Sequence, residues 1–262
     1  MNLEQLKTYL KSEEDKAFKG WDFSYLNGRW SNEELPWDYK KIISDYLKPT
    51  DRLLDIGTGG GEFLLTLNHP YELTSVTEAY PPNMQLCTDT LAPLGIEVKQ
   101  VFDDSALPFE DETFDIVINR HEAFDTTEVK RILKQGGHFI TQQVGCRNNN
   151  DLSYKMIDNF TPSFPGHNLA SNSSIMRAAG FRILFAEEAF VPVKFFDLGA
   201  LVYFAKIIEW EFPGFSVESC FDKLYRLQKE LQENGYIAGT EHRFVIVAQK
   251  IQNHIGFTNE SC

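Results

Sequence analysis

The chain has 262 residues, 42% of them hydrophobic and 24% charged, which suits a well-packed globular protein of one large domain with insertions or two modest ones. Asp plus Glu outnumber Lys plus Arg by 38 to 25, for a net charge of −13 and a pI near 4.9; a field of that sign repels nucleic acid and anionic membranes and argues against both as partners. Cys87, Cys146, Cys220 and Cys262 lie too far apart for a zinc or disulfide pattern, so no metal is expected, and reduced thiols in a cytoplasmic protein are the plain reading.

The opening MNLEQLKTYLKSEEDK is polar and acidic, unlike a signal peptide, and no apolar run reaches the roughly 20 residues that span a bilayer. Residues 1–20 read as a helix with Leu3, Leu6 and Leu10 on one face. Residues 21–30 are aromatic and read as a loop. Ser31 and Glu34 have the spacing of a capping box ahead of an amphipathic helix that stops at Pro49. Strands are then expected at Arg52–Ile56, Leu73–Thr77, Ile96–Val101, Phe114–Ile118 and His138–Gln142. Helices are expected between them, the last running from Thr126 or Thr127 to Gly136. Such alternation implies parallel βαβ units in a doubly wound α/β sheet. Further on, CRNNNDLSYK reads as a polar loop, Ser173–Ala179 as a helix and Phe181–Ala186 as a sixth strand. Helical stretches Leu198–Trp210 and Val217–Glu233 follow, then a last strand, His242–Ala248, and a fraying tail.

The segment LLDIGTGGGEF, residues 53–63, carries the chemistry. A strand delivers Asp55 to its carboxyl end, and Gly57, Gly59, Gly60 and Gly61 then turn the chain into a helix. Open α/β sheets bind ligands at such a turn, because glycine lets the backbone come close. The dinucleotide fingerprint G-x-G-x-x-G fails at its last position, where Glu62 would face a pyrophosphate. A Walker loop fails too, since no Gly-Lys-Ser/Thr follows. An acidic strand end suits a ligand with a cationic centre and an ammonium group.

This segment resembles motif I of the class I S-adenosylmethionine (SAM)-dependent methyltransferases, of the methyltransferase type 11-like kind. The resemblance continues through Glu78 at the end of the second strand, through DDSALPFEDETFDIVINR at 103–120, and through EVKRILKQGGHFI at 128–140, where Gln135 replaces the family's Pro. It implies a mostly parallel seven-stranded Rossmann-like sheet with a helical N-terminal cap at 1–48, a SAM-binding domain at 49–250 and a tail at 251–262. An insertion at 194–235 would act as a substrate lid, and its aromatic residues, with those of the N-terminal segment, would form core or an apolar cover over an acceptor. It also implies SAM as cofactor, with contacts from Asp55, Gly57, Thr58, Gly59, Gly61, Glu78, Ala79, Asp103, Asp104, Ser105 and Asn119. In the family the acid at the position of Glu78 holds the ribose hydroxyls. An Asp holds the adenine amino group, and Asp103 takes that place by count to Leu107, Pro108 and Phe109, although Asp104 stands where Ala is usual.

His121 and Glu122 follow the fourth strand and are the candidate catalytic bases for an acceptor that must lose a proton; histidine has a suitable intrinsic pKa. Gln142 and Gln143 end the fifth strand beside the expected site. The acidic charge and aromatic insertions point to a small-molecule acceptor handled by a monomer or homodimer. An RNA or protein methyltransferase and a non-enzymatic SAM-binding sensor or partner subunit are the alternatives.

Overall fold

The computed structural model describes residues 2–18 and 23–251; Trp21, Cys262 and the tail from 252 onward lie outside them. In chain order the elements are α1 (Leu3–Glu14), β1 (Trp30–Asn32), α2 (Tyr39–Tyr46), β2 (Leu53–Ile56), α3 (Glu62–Leu65), β3 (Thr74–Glu78), α4 (Pro81–Thr90), β4 (Glu97–Gln100), β5 (Phe114–Arg120) and α5 (Thr126–Ile132). They continue with β6 (Leu133–Val144), α6 (Asn150–Met156), α7 (Leu169–Ala178), β7 (Phe181–Phe195), α8 (Leu198–Ile207), α9 (Val217–Asn234) and β8 (Ile237–Lys250). The chain divides into two compact units.

The sheet unit comprises Tyr39–Gln142, Asn172–Ala186 and Val245–Cys262. Its strands run in the order β7-β8-β6-β5-β2-β3-β4. The pairs β2–β3, β2–β5, β3–β4 and β5–β6 are parallel. This is the expected doubly wound, mostly parallel sheet, but with β1 paired to β7 it has eight strands where seven are expected. Every residue of β2 and β3 is buried, and β5 is buried at all but Asp115 and Arg120, as for strands covered on both faces. Reversal of the order at β2, with β3 on one side and β5 on the other, places the crevice at the carboxyl ends of these three strands.

One boundary in this unit differs from expectation. The helix α5 stops at Ile132, four residues before Gly136, and β6 already begins at Leu133. Leu133 pairs with Phe114 while His138 pairs with Ile116, so the residues between bulge out of the ladder. Gly137 sits in that bulge, where a Cβ would lie 2.9 Å from the carbonyl oxygens of both Asp115 and Lys134. The two glycines serve a bulge rather than a helix stop.

The helix-rich unit comprises Met1–Asp38, Gln143–Ser171 and Glu187–Phe244. It holds the eighth strand: β1 pairs antiparallel with β7, Trp30 opposite Phe195 and Asn32 opposite Val193. Ser31 therefore lies in a strand and caps no helix. A helix starting there would carry Pro36 in its interior, where the ring clashes with the preceding turn, and α2 begins only at Tyr39.

The expected loop CRNNNDLSYK contains helix α6, entered through Asn149 at φ 52. Asn148 and Asn149 donate from Nδ2 to the two carboxylate oxygens of buried Glu211 at 2.6 and 2.8 Å. Long-range bonds, not helix propensity, place this turn. Helix α8 is buried from Leu198 through Ala205 and packs with Leu6, Leu10, Leu224 and Leu227 in one apolar core. Phe195, Tyr203, Phe204, Phe212 and Phe215 are buried there, and Phe196 and Trp210 are exposed. No helix among the described residues is long and apolar enough to cross a membrane.

Candidate cofactor site

The site is built on the turn between β2 and α3. Gly57, Gly59 and Gly61 have φ of +69°, +66° and +84°, a region that costs an L side chain about 1–2 kcal/mol. The amides of Gly57 and Thr58 both donate to the Thr77 carbonyl at 3.1 Å, which ties the turn to β3. A Cβ on Gly57 would come within 2.3 Å of Glu122 Cγ, whereas one on Gly59 would meet nothing within 4 Å. Gly57 is thus required for packing, and Gly59 leaves open space that a ligand can enter.

Carboxylates converge around this turn. Glu78, at the end of β3 and 6% exposed, accepts from the Gly59 amide at 2.8 Å and from the Ala79 and Tyr80 amides at 3.0 and 2.9 Å. Three donors fix its carboxylate and leave acceptor capacity on the oxygens for a ligand's hydroxyls. Asp55, on β2, is buried, and burial pushes its carboxyl up to about 7. The Thr58 hydroxyl and the Arg120 charge pull it down, and Glu78 adds to the rise. Asp104 is raised by burial and by the charges of Asp103 and Asp125. Glu122 is raised by desolvation, against which its bond to the Ala123 amide works, and further by Asp104 and Glu78.

A pocket in the sheet unit opens between these groups. Gly57, Glu78, Ala79, Asp104 and Glu122 line it, together with Thr77 and Phe102. Asp103 and Asp104 have different roles. The Asp103 carboxylate accepts from the amide and hydroxyl of Ser105 at 2.9 and 2.6 Å, so this pair closes a local turn, and Asp104 is the one that lines the pocket. Asn119 is fully buried. Its Nδ2 donates to the Ile56 carbonyl at 3.2 Å and its Oδ1 accepts from the Thr141 hydroxyl at 2.9 Å, which commits the side chain to joining β5 to its neighbours.

His121 sits just past β5 with φ 62, a left-handed conformation uncommon for a residue with a side chain. Its amide donates to the Gln142 carbonyl at 2.8 Å, and its Nε2 lies 3.2 Å from Gln142 Nε2. Two contacts to β6 therefore fix the ring at the sheet's carboxyl edge, where strained residues often carry function.

Residues 54–141 match the family model described as a methyltransferase domain. The match covers about a third of the chain. No protein of curated function matches the sequence. Solved structures share the fold. YcgJ of Bacillus subtilis aligns with a TM-score of 0.55 at 18% identity, over 82% of this chain and 98% of that one. A Bacillus halodurans C-125 protein named as a candidate methyltransferase aligns at 0.53 and 17% identity, over 82% and 99%. The cyclase SpnF aligns at 0.50 and 16% identity, over 94% and 93%. At these identities the likeness establishes the fold alone, a Rossmann-like mostly parallel sheet with helices.

Two residues at the site, Phe102 and Cys87, escaped the sequence reading, and Tyr39 was marked only as one of the N-terminal aromatics. Phe102, 76% exposed, lines the pocket together with Asp104; its place between the third strand and the two aspartates was the available signal. Cys87 on α4 donates from Sγ to the Gly59 carbonyl at 3.0 Å, and burial pushes this thiol up to about 12, so it braces the turn as a neutral group. Tyr39 opens α2 and donates its hydroxyl to the carbonyls of Asn119 and Ile140 at 2.9 and 3.0 Å. Its ring stacks on Phe63 of α3 at 5.5 Å. The sequence marks Tyr39 only as one of the aromatic residues of the N-terminal segment, because both partners come from distant strands.

Proposed function

We propose that this chain is a SAM-dependent methyltransferase that acts on a small-molecule acceptor. The observation that carries the reading is the set of carboxylates, Asp55, Glu78, Asp104 and Glu122, gathered around a glycine turn with open space at Gly59. That donor set fits a cationic ligand with hydroxyls and an amino group. It fits poorly with a pyrophosphate, which Glu62 and Glu78 would repel.

In this reading Glu78 accepts from the ribose hydroxyls, Asp104 accepts from the adenine amino group and the Phe102 ring lies against the base. The backbone of Gly57 to Gly61 borders the cofactor, and Asp55 faces its cationic amino-acid end. When bound, SAM supplies a methyl group already activated on a sulfonium. The protein's own work is to bind, orient and exclude water, which can account for many kcal/mol of a bimolecular barrier. His121, held by Gln142, takes the acceptor's proton where the acceptor must lose one; Glu122, whose carboxyl is raised by burial, is the second candidate for that role. A small acceptor is favoured over RNA because the chain's charge of −13 and the acidic pocket both oppose a polyanion.

Calorimetric titration with SAM, S-adenosylhomocysteine and NAD tests the reading. Micromolar binding of the first two with none of NAD is the expected result. Binding of NAD alone, or of none of the three, overturns it.

A further inference from the structure

Every acid named around the turn is negative when ionised, yet the amino-acid end of SAM is a zwitterion. Its ammonium suits Asp55, and its α-carboxylate would be repelled by the same acids unless a cation stands among them. Arg120 is that cation. It ends β5 directly after Asn119 and is solvent-exposed. Its guanidinium carbon lies 4.4 Å from the centroid of the Phe63 ring, and Phe63 belongs to α3, the helix that the glycine turn opens. Arg120 is the positive charge that acts on both Asp55 and Tyr39. No carboxylate among the described residues comes within 4.0 Å of it, unlike the paired Arg29, Arg131 and Arg243. A guanidinium spread over an aromatic face is held in one plane with its fork of donors open, the geometry that receives a carboxylate through two parallel hydrogen bonds.

We infer that Arg120, held in place by the Phe63 ring, is the anchor for the α-carboxylate of the bound cofactor. The inference rests on the cofactor reading above and adds the residue that recognises the amino-acid end. Arg120 acts there as a positioning residue: it fixes the end of the cofactor opposite to the adenine, and so the place of the sulfonium between them.

The test compares three ligands by calorimetry on the full chain: SAM, decarboxylated SAM and 5′-methylthioadenosine, which lacks the amino-acid portion. Arg120→Met keeps an apolar stem over Phe63 and removes the fork. The expected result is a loss of about 10- to 100-fold in SAM affinity, the size of a lost charge-assisted interaction, with decarboxylated SAM and 5′-methylthioadenosine within about twofold of wild type. Arg120→Lys keeps the charge without the fork and should fall between the two for SAM. A loss shared equally by all three ligands would mean that Arg120 only props the turn, and unchanged SAM affinity would assign it to some other anion, such as an acceptor's; either overturns the inference. If the wild type binds none of the three, the cofactor reading fails and this inference falls with it. A drop in SAM affinity alone cannot come from misfolding, because the other two ligands report on the same pocket.

Discussion

The buried carboxyl of Asp55 predicts how cofactor affinity should depend on pH. Its ordinary value of 3.8 rises to about 7 in the folded protein, with burial as the main cause, a difference worth about 4 kcal/mol against the ionised form. In the free protein near neutrality the group is then about half protonated. A ligand carrying a sulfonium and an ammonium favours the ionised form, so binding should release a proton wherever Asp55 starts protonated. With a free value of about 7, lowered further when the cationic ligand is bound, affinity for SAM should rise between pH 6 and pH 8, by up to about tenfold. Titrations at pH 6, 7 and 8, each in two buffers of different ionisation enthalpy, measure both the affinity and the protons released. Asp55→Asn should bind more weakly at pH 8 and lose most of the pH dependence. Folding responds with the opposite sign. The native state keeps a proton that the unfolded chain has lost, so the contribution of Asp55 to stability falls as pH rises from about 4 to about 7, and Asp55→Asn should be the more stable of the two at pH 8. A wild-type affinity flat from pH 6 to 8 with no proton release would refute the reasoning, as would an Asn variant with the wild-type profile.

Three further outcomes are expected. Glu78→Ala should weaken SAM binding by about 1.5–3 kcal/mol, roughly 10- to 150-fold in the dissociation constant; calorimetry showing a folded variant with unchanged affinity would place the cofactor elsewhere. Gly57→Ala should destabilise the domain by about 1–3 kcal/mol, because φ +69° is strained for alanine and the added Cβ meets Glu122 Cγ. Urea midpoints check this, and Gly57→Ala combined with Glu122→Gly should recover only the part of the loss due to the clash. His121→Ala should lower turnover with little change in SAM affinity, once an acceptor is in hand; a wild-type rate that does not vary across pH 6–9 would remove His121 as the base.

SpnF shares this fold at a TM-score of 0.50 yet is named a cyclase. The fold alone therefore does not decide the reaction, and the assignments above rest on side chains. In the proposed reading the acids around the glycine turn bear on the cofactor and His121 bears on the acceptor.

What the sequence by itself determined was local or followed from chain order. The glycines at 57, 59 and 61 were legible because a left-handed backbone admits few other residues, and all three adopt it. Glu78 was legible because a strand end one βα unit after the turn lies beside it in a parallel sheet. The apolar run Phe114–Ile118 has the pattern of a strand covered on both faces, and β5 is buried along it except at Asp115. Tertiary structure alone decided the rest. Asp103 and Asp104 are equivalent by composition, and only the bond of Asp103 to Ser105 separates the turn-former from the pocket acid. Asn119 reads as a cofactor contact by position, and only the tertiary structure shows that it is buried and bonded to Thr141 of the neighbouring strand. Ser31 carried the local signature of a helix cap, which pairing of β1 with β7 overrode. The asparagines before α6 suggested a loop until Glu211, more than 60 residues away, supplied their partner. Nothing in the sequence distinguished Arg120 from the other charged residues until Phe63 came beside it at the end of β5. In each case the deciding interaction joins residues far apart in the chain, and no local pattern of hydrophobicity, capping or turn chemistry encodes it.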